Sequence, residues 1–242
     1  MPRYKISISY DGTAYCGWQR QPNVNTVEEE VEEALGRILR TSVDVIGQGR
    51  TDSGVHAEAQ VAHFDYEEPI DKDKLLYGLL GVLPRDISVW EMEKVPDDFH
   101  ARFEATSRQY RYQIVTRPAP LLRNLSIMVW NDLDMKAMHT CAGMICGTHN
   151  FVNFRKTNEN RQDAVCTINH SVFQIDDYKI TYRIRANRFV HHMVRRLVGS
   201  MLNVGKGKWE IDRFFEMLQS PECRYNGHGA AAKALILEKI IY

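Results

Sequence analysis

The sequence predicts an α+β protein of two ferredoxin-like units, each an antiparallel sheet backed by helices. Three observations predict it. Stretches with apolar residues at period two, the mark of strands, are interleaved with stretches at period 3.6, the mark of helices. Over residues 1–106 their order is strand, helix, strand, strand, helix, strand, which is the split β-α-β motif. A similar order returns after residue 106, with an extra helix before the last strand. The charge changes sign at nearly the same place. Residues 1–107 hold 11 Lys+Arg against 20 Asp+Glu, and residues 108–242 hold 20 against 11. The expected domains are therefore 1–106 and 107–242. The two halves share no evident sequence identity, so the likeness is one of architecture.

Taken in order, Tyr4, Ile6, Ile8 and Tyr10 alternate with Lys5, Ser7 and Ser9 as a half-buried strand. Thr26-Val27-Glu28-Glu29 reads as a capping box, followed by an apolar stripe of Val27, Val31, Ala34, Leu35, Ile38 and Leu39. The acidic run from Glu28 to Glu33 suits the positive end of the helix dipole and calls for no other role. Val43 to Ile46 and Val55 to Phe64 read as strands. Asp71 to Leu83 reads as a helix with Leu75, Leu76, Leu79, Leu80 and Leu83 on one side, and Ile87 to Val95 as a strand. In the second half, Arg108 to Thr116 alternates and Asp134 to Ile145 has helical spacing. Val165 to Ile175 and Lys179 to Ala186 form a hairpin turning at Asp176-Asp177. Asn187 stands where it can cap a helix from Arg188, with Phe189, Val190, Met193, Val194, Leu197, Val198, Met201 and Leu202 as its apolar arc. His191, His192, Arg195 and Arg196 fall on the other side. A helix from Ile211 to Gln219, stopped by Pro221, and a strand from Leu235 to Ile241 complete the chain.

With 44% hydrophobic and 26% charged residues in 242, the composition is that of a globular protein. No apolar run has the length of a membrane span, and the first residues lack an apolar signal core, so a cytoplasmic protein is expected. The five cysteines are odd in number and irregularly spaced, which argues against a disulfide framework. Cys141, Cys146 and His149 lack the spacing of a zinc site, and the cysteines read as small buried hydrophobes. The net charge of zero hides the asymmetry between halves. A basic half fits either a polyanionic partner or two units that attract each other.

Three places carry candidate chemistry. Gly47 to Ala57, G-Q-G-R-T-D-S-G-V-H-A, is a glycine-shaped loop around Asp52, with Arg50 two residues away. It matches neither a P-loop nor a dinucleotide fingerprint. Asp52 is either an ionised nucleophile or base, or the side chain of an Asx-turn. Tyr110 lies between Arg108 and Arg111, an interleaving that suits base stacking and phosphate contact, whereas Tyr112 reads as core. The third is His191-His192 with Arg195 and Arg196. Adjacent helical residues diverge by about 100°, so the two histidines do not readily share a metal. Phosphate contact or a structural role fits them better.

Together these segments resemble the tRNA pseudouridine synthase A family along the whole chain. The matching motifs run in order: Y-D-G-T-x-Y-x-G-W-Q-x-Q at Tyr10 to Gln21, G-R-T-D-x-G-V-H-A at Gly49 to Ala57, V-P-D-D-F-H-A-R at Val95 to Arg102, R-x-Y-x-Y at Arg108 to Tyr112, and F-V-H-H-M-V-R at Phe189 to Arg195. Ser53 stands where alanine is common and Gln48 where a smaller residue is usual; neither replaces a functional group. The resemblance implies a pseudouridine synthase-like fold with an active-site cleft between the units. It implies an isomerase that converts uridine to pseudouridine at positions 38 to 40 of the tRNA anticodon stem-loop, without cofactor or metal. It also implies a homodimer, with one tRNA across both subunits. By the same pattern Asp52 attacks C1′ or C6 of the nucleotide, or stabilises the detached base. Tyr110 stacks on the flipped uracil, Arg195 pairs with Asp52, Arg50 holds or displaces the RNA backbone, and Leu235 lines the pocket.

Two other classes stay open on the residues alone: a tRNA-binding module without chemistry, and a metal-dependent hydrolase on His56, His63, His191 and His192. One expectation concerns charge. If Arg111 touches a phosphate, Arg111→Gln lowers the slope of log affinity against log salt for tRNA by about one. Filter binding over a salt series measures it, and an unchanged slope places Arg111 elsewhere.

Overall fold

The computed structural model describes residues 1–130, 132–156, 164–220 and 225–242. Pro221 and Cys223 lie outside them. The fold is α+β, and the chain divides into two compact units, Met1–Thr106 with Ile236–Tyr242, and Ser107–Leu235.

In the first unit the chain runs β1 (Arg3–Tyr10), α1 (Val27–Leu39), β2 (Ile46–Gly47), β3 (His56–Asp65), α2 (Lys72–Val82) and β4 (Ile87–Val95). β1 is central and antiparallel to both β3 and β4, with Ile6 opposite Ala62 and Met92. β2 joins the other edge of β3. This is the ferredoxin-like arrangement that the element order predicts. Ile6, Ile8, Leu35, Phe64 and Leu79 are fully buried between sheet and helices. Burial of each such side chain stabilises by about 1.5–3 kcal/mol.

Local departures from the sequence reading have causes in contacts made across the fold. The capping box does not form: Thr26 makes no side-chain cap, and its hydroxyl is buried without a partner. The orphan amides of α1 find carbonyls instead, Val27 N–H donating to Gly17 O at 3.2 Å and Glu28 N–H to Trp18 O at 3.0 Å. Asp71 does cap α2, accepting from Lys74 N–H, but Leu80 stands 70% exposed rather than in the core. The strand expected over Val43 to Ile46 shrinks to two residues. Val45 N–H is taken by the Glu32 carboxylate at 3.1 Å, so no sheet ladder forms there.

In the second unit the chain runs β5 (Ser107–Val115), β6 (Ile127–Met128), α3 (Met135–Met144), β7 (Gly147–Asn150), β8 (Val165–Asp176), β9 (Lys179–Ala186), α4 (Met193–Gly205) and α5 (Ile211–Gln219). The sheet order is β5-β9-β8-β7, antiparallel throughout, with β6 added parallel to β5. Asp134 caps α3, and the β8–β9 hairpin turns at Asp177, whose φ is 50°. The polar stretch Gly147–Asn150 shows no alternation of apolar residues, and as a short edge strand it needs none. α4 starts at Met193, not Arg188. Asn187 spends its Oδ1 on Arg188 N–H and Thr167 N–H, and His192 takes φ 65°, so the backbone before Met193 is not helical. The α4 face from Met193 to Leu202 is buried as its spacing predicts.

The last strand, β10 (Leu235–Ile241), is parallel to β3, with Ile236 opposite His56 and Leu237 opposite Ala57. The sequence order has this strand close the second unit; its residues from Ile236 onward cluster with the first. Thr106 N–H donates to Ile241 O at 2.7 Å, and the Tyr242 hydroxyl donates to Ala101 O. Cys141 and Cys166 are buried as expected, whereas Cys16 and Cys146 are exposed. No helix among the described residues is long and apolar enough to cross a membrane.

His63 on β3 is 1% exposed, and its Nδ1 accepts from Ala101 N–H at 3.2 Å. Burial, with the nearby positive charge of Arg3, pulls its pKa down to about 4. The folded imidazole is neutral, and below pH 6.5 the unfolded chain binds the proton that the folded one refuses. Its contribution to stability is therefore complete above about pH 6.5 and lost as pH falls toward 4, by up to about 3 kcal/mol. Urea denaturation between pH 7 and 4 checks this: the wild type loses stability over that window, and His63→Asn flattens part of the loss.

Candidate active site

In the first unit Asp52 sits in the turn that feeds β3. Val55 N–H donates to Asp52 O at 3.1 Å, and Gly54, the third residue of that turn, has φ 75°, as a type II turn requires. Asp52 itself is half-buried. The segment after β1 clasps this turn from the side. A Cβ at Gly12 would stand 2.0 Å from Val55 O, and one at Gly17 would stand 2.5 Å from Thr51 O. Only glycine admits backbone that close, and Gly17 also has φ 92°. The clasp is bonded as well as fitted. Trp18 N–H donates to Thr51 O at 3.3 Å and Gly54 N–H to Tyr15 O at 3.2 Å. The hydroxyls of Tyr10 and Thr51 lie 2.8 Å apart. Gly12 N–H donates to His56 Nδ1 at 3.0 Å, and that nitrogen lies 3.1 Å from the Asp11 carboxylate.

Glu28, in the first turn of α1, anchors the clasp. Its carboxylate is 5% exposed and accepts from Trp18 Nε1 at 3.0 Å, from Arg20 N–H at 2.7 Å and from the Gln19 amide. Burial raises its pKa, against the lowering effect of these donors. Gln19 in turn accepts from Arg50 Nε at 3.2 Å. A relay of Glu28, Gln19 and Arg50 thus tethers an arginine that shares a loop with Asp52. Reading Glu28 as no more than a helix-dipole charge misses this use. The signal was present: Gly17-Trp18-Gln19 carries an indole donor and an amide ten residues before an acidic run.

In the second unit Tyr110 lies on β5 opposite Ile184, with its ring edge-on to Phe189 at 5.3 Å. Tyr112 is fully buried, as read from the sequence, and its hydroxyl donates to Ala231 O at 3.0 Å. Arg195, in the first turn of α4, donates from Nε to Ala230 O at 2.8 Å, and Ala230 N–H donates to Arg195 O. Arg195 is close enough for its charge to act on the Tyr112 hydroxyl. The strap that leads to Leu235 is pressed on α4, where a Cβ at Gly199 would stand 2.1 Å from His228 O. Leu235 is 5% exposed. So β5, the start of α4 and the strap to Leu235 meet within this unit, and Arg50 and Asp52 share one loop in the other.

Three histidines are engaged by the backbone. His56 and His63 each accept a backbone amide, and His149 Nε2 lies 3.0 Å from Cys146 O. His191 and His192 precede α4, with rings 4.2 Å apart, so helical divergence does not separate them.

A family model described as tRNA pseudouridine synthase matches residues 6–104 and 142–242. The chain belongs to the tRNA pseudouridine synthase family. A tRNA pseudouridine synthase A of Bacteroides fragilis is 41% identical over 99% of this chain and 96% of its own. One of Bacteroides thetaiotaomicron is 39% identical over 100% and 91%, and one of Chlorobaculum tepidum 40% over 98% and 97%. Membership in this synthase family spans both units, including the strap and β10.

For a member of this family the glycine clasp has a measurable consequence. Gly17→Ala forces a Cβ onto Thr51 O at a positive φ, which costs roughly 1–3 kcal/mol and shifts the Asp52 turn. Thermal unfolding then shows a lower Tm and turnover falls more than the lost stability explains, whereas Gly49→Ala, with nothing within 4 Å, leaves both near wild type.

Proposed function

We propose that this protein isomerises uridine to pseudouridine in tRNA, at positions 38 to 40 of the anticodon stem-loop, with Asp52 as nucleophile. Isomerase chemistry on tRNA uridine is that of the family. The observation that carries the finer reading is a half-buried carboxylate held on a locked turn, with glycines bare of side chains behind it. Preorganisation of this kind matters because a misplaced nucleophile loses rate steeply.

The reaction needs no external reagent. The N1–C1′ bond breaks, the uracil turns, C5 bonds to C1′, the C5 proton leaves and N1 ends protonated, so atoms and charge balance. The target must first leave its stack. In this reading Asp52 attacks C1′ or C6, and Tyr110 stacks on the flipped base, its ring already braced by Phe189. Arg195 supplies the counter-charge that keeps Asp52 ionised, Arg50 engages the RNA backbone, and Leu235 gives the apolar wall. The working form is a cytoplasmic homodimer.

The test is release of tritium from tRNA labelled at uridine C5, with no cofactor added. The wild type releases it. Asp52→Asn lowers the rate by at least about a thousandfold, the scale for deleting one member of a catalytic set, and binds tRNA within a few-fold of wild type. Undiminished release in that variant removes Asp52 from the nucleophile's role, and binding without any release by the wild type leaves a module that holds tRNA and does no chemistry.

A further inference from the structure

We propose that the first unit carries a separate nucleobase subsite beside Phe103, with guanine as its preferred occupant. The reading rests on RNA being the partner, and the residues that line the cavity are distinct from those assigned to the target uridine. A cavity of about 280 Å³ opens here, lined among others by Gln19, Glu28, Asp44, Gly47, His100 and Phe103, the Glu28 carboxylate being already met by three donors. The volume lies just below the roughly 300 Å³ at which small-molecule sites begin, a size for one base.

Its outer wall is an aromatic held out to solvent. Phe103 is 76% exposed, and its ring lies 4.3 Å from that of His100 at 41°. The turn that presents it is fixed. Phe103 N–H and Glu104 N–H both donate to His100 O at 3.1 Å, Arg102 N–H donates to His100 Nδ1, and His100 N–H donates to the Glu104 carboxylate at 2.7 Å. A large apolar ring on a rigid turn does not hide from water by relaxing, and stacking on an unpaired base covers it.

The edge of the cavity selects. Asp44 is exposed, and its carboxylate accepts no hydrogen bond among the described residues. A carboxylate accepts only. Among the four RNA bases, guanine alone offers two adjacent donors, N1–H and the N2 amino group, on its Watson–Crick edge. Cations flank the site for the attached phosphates. Arg102 lines the cavity with its guanidinium 5.9 Å from the Phe103 ring centre, and Arg50 is bonded to the lining residue Gln19. The gathering is one of stacking face, acceptor edge and phosphate cations around a base-sized space.

The experiment uses uridine-free oligonucleotides, so that binding is read apart from isomerisation. Fluorescence anisotropy compares 5′-labelled AAAGAAA with AAAAAAA on the full chain. The wild type binds the guanine oligomer at least about fivefold tighter. Phe103→Ala weakens both by about tenfold, and Asp44→Ala removes the preference while keeping most of the affinity for the adenine oligomer. Both side chains are exposed, so an unchanged Tm certifies the fold. Equal affinity of the wild type for the two oligomers, or Phe103→Ala binding as the wild type does, overturns the subsite. Loss of tritium release by the wild type would overturn the proposed reaction and leave this binding result untouched.

Discussion

Two missing side chains govern the first unit. At Gly12 and Gly17 the backbone after β1 lies against the backbone of Val55 and Thr51, at separations a Cβ would turn into overlap. Because the contact is main chain on main chain, it is stiffer than one made by rotatable groups, and it carries its own hydrogen bonds from Trp18, Gly54 and the Tyr10 hydroxyl. The Asp52 turn has β3 on one side and this clasp on the other. Its shape is therefore a property of the sheet rather than of the loop's own preferences.

Glu28 shows how a charge is kept inside such a frame. A carboxylate removed from water is costly unless its lone pairs are met. Here an indole N–H, an amide and a backbone N–H converge on it, and the helix N-terminus adds its dipole. The same contacts stitch the clasp to α1, so one carboxylate serves loop shape and, through Gln19, the hold on Arg50. The second unit reaches a similar end with no buried carboxylate among its described residues. There the strap through Ala230 and Ala231 ties Arg195 and Tyr112 together by main-chain carbonyls.

The strands and helices with clean periodicity were legible: β1, β5, the β8–β9 hairpin and the buried face of α4 stand where their apolar spacing puts them. So was the turn around Asp52, because Gly49 and Gly54 have few uses in a strand, although Gly47 ends β2. What the sequence hid is tertiary. Thr26 looks like a cap, yet carbonyls from Gly17 and Trp18 take the amides first. Asn187 looks like a cap, yet its acceptor is claimed by Thr167, a residue on another strand. The need for glycine at 12 and 17 is set by Val55 and Thr51, far along the chain. Short polar β7 has no pattern to find, since an edge strand is held by its ladder alone.

The placement of Ile236–Tyr242 has a bearing on synthesis. These residues cover the edge of β3 beside the Asp52 turn, yet they are translated more than a hundred residues after Thr106. A nascent chain that has emerged only through β4 therefore presents an uncovered strand edge and lacks the Thr106 and Ala101 anchors. Completion of the unit that bears Asp52 therefore waits on residues that follow the whole second unit in the chain.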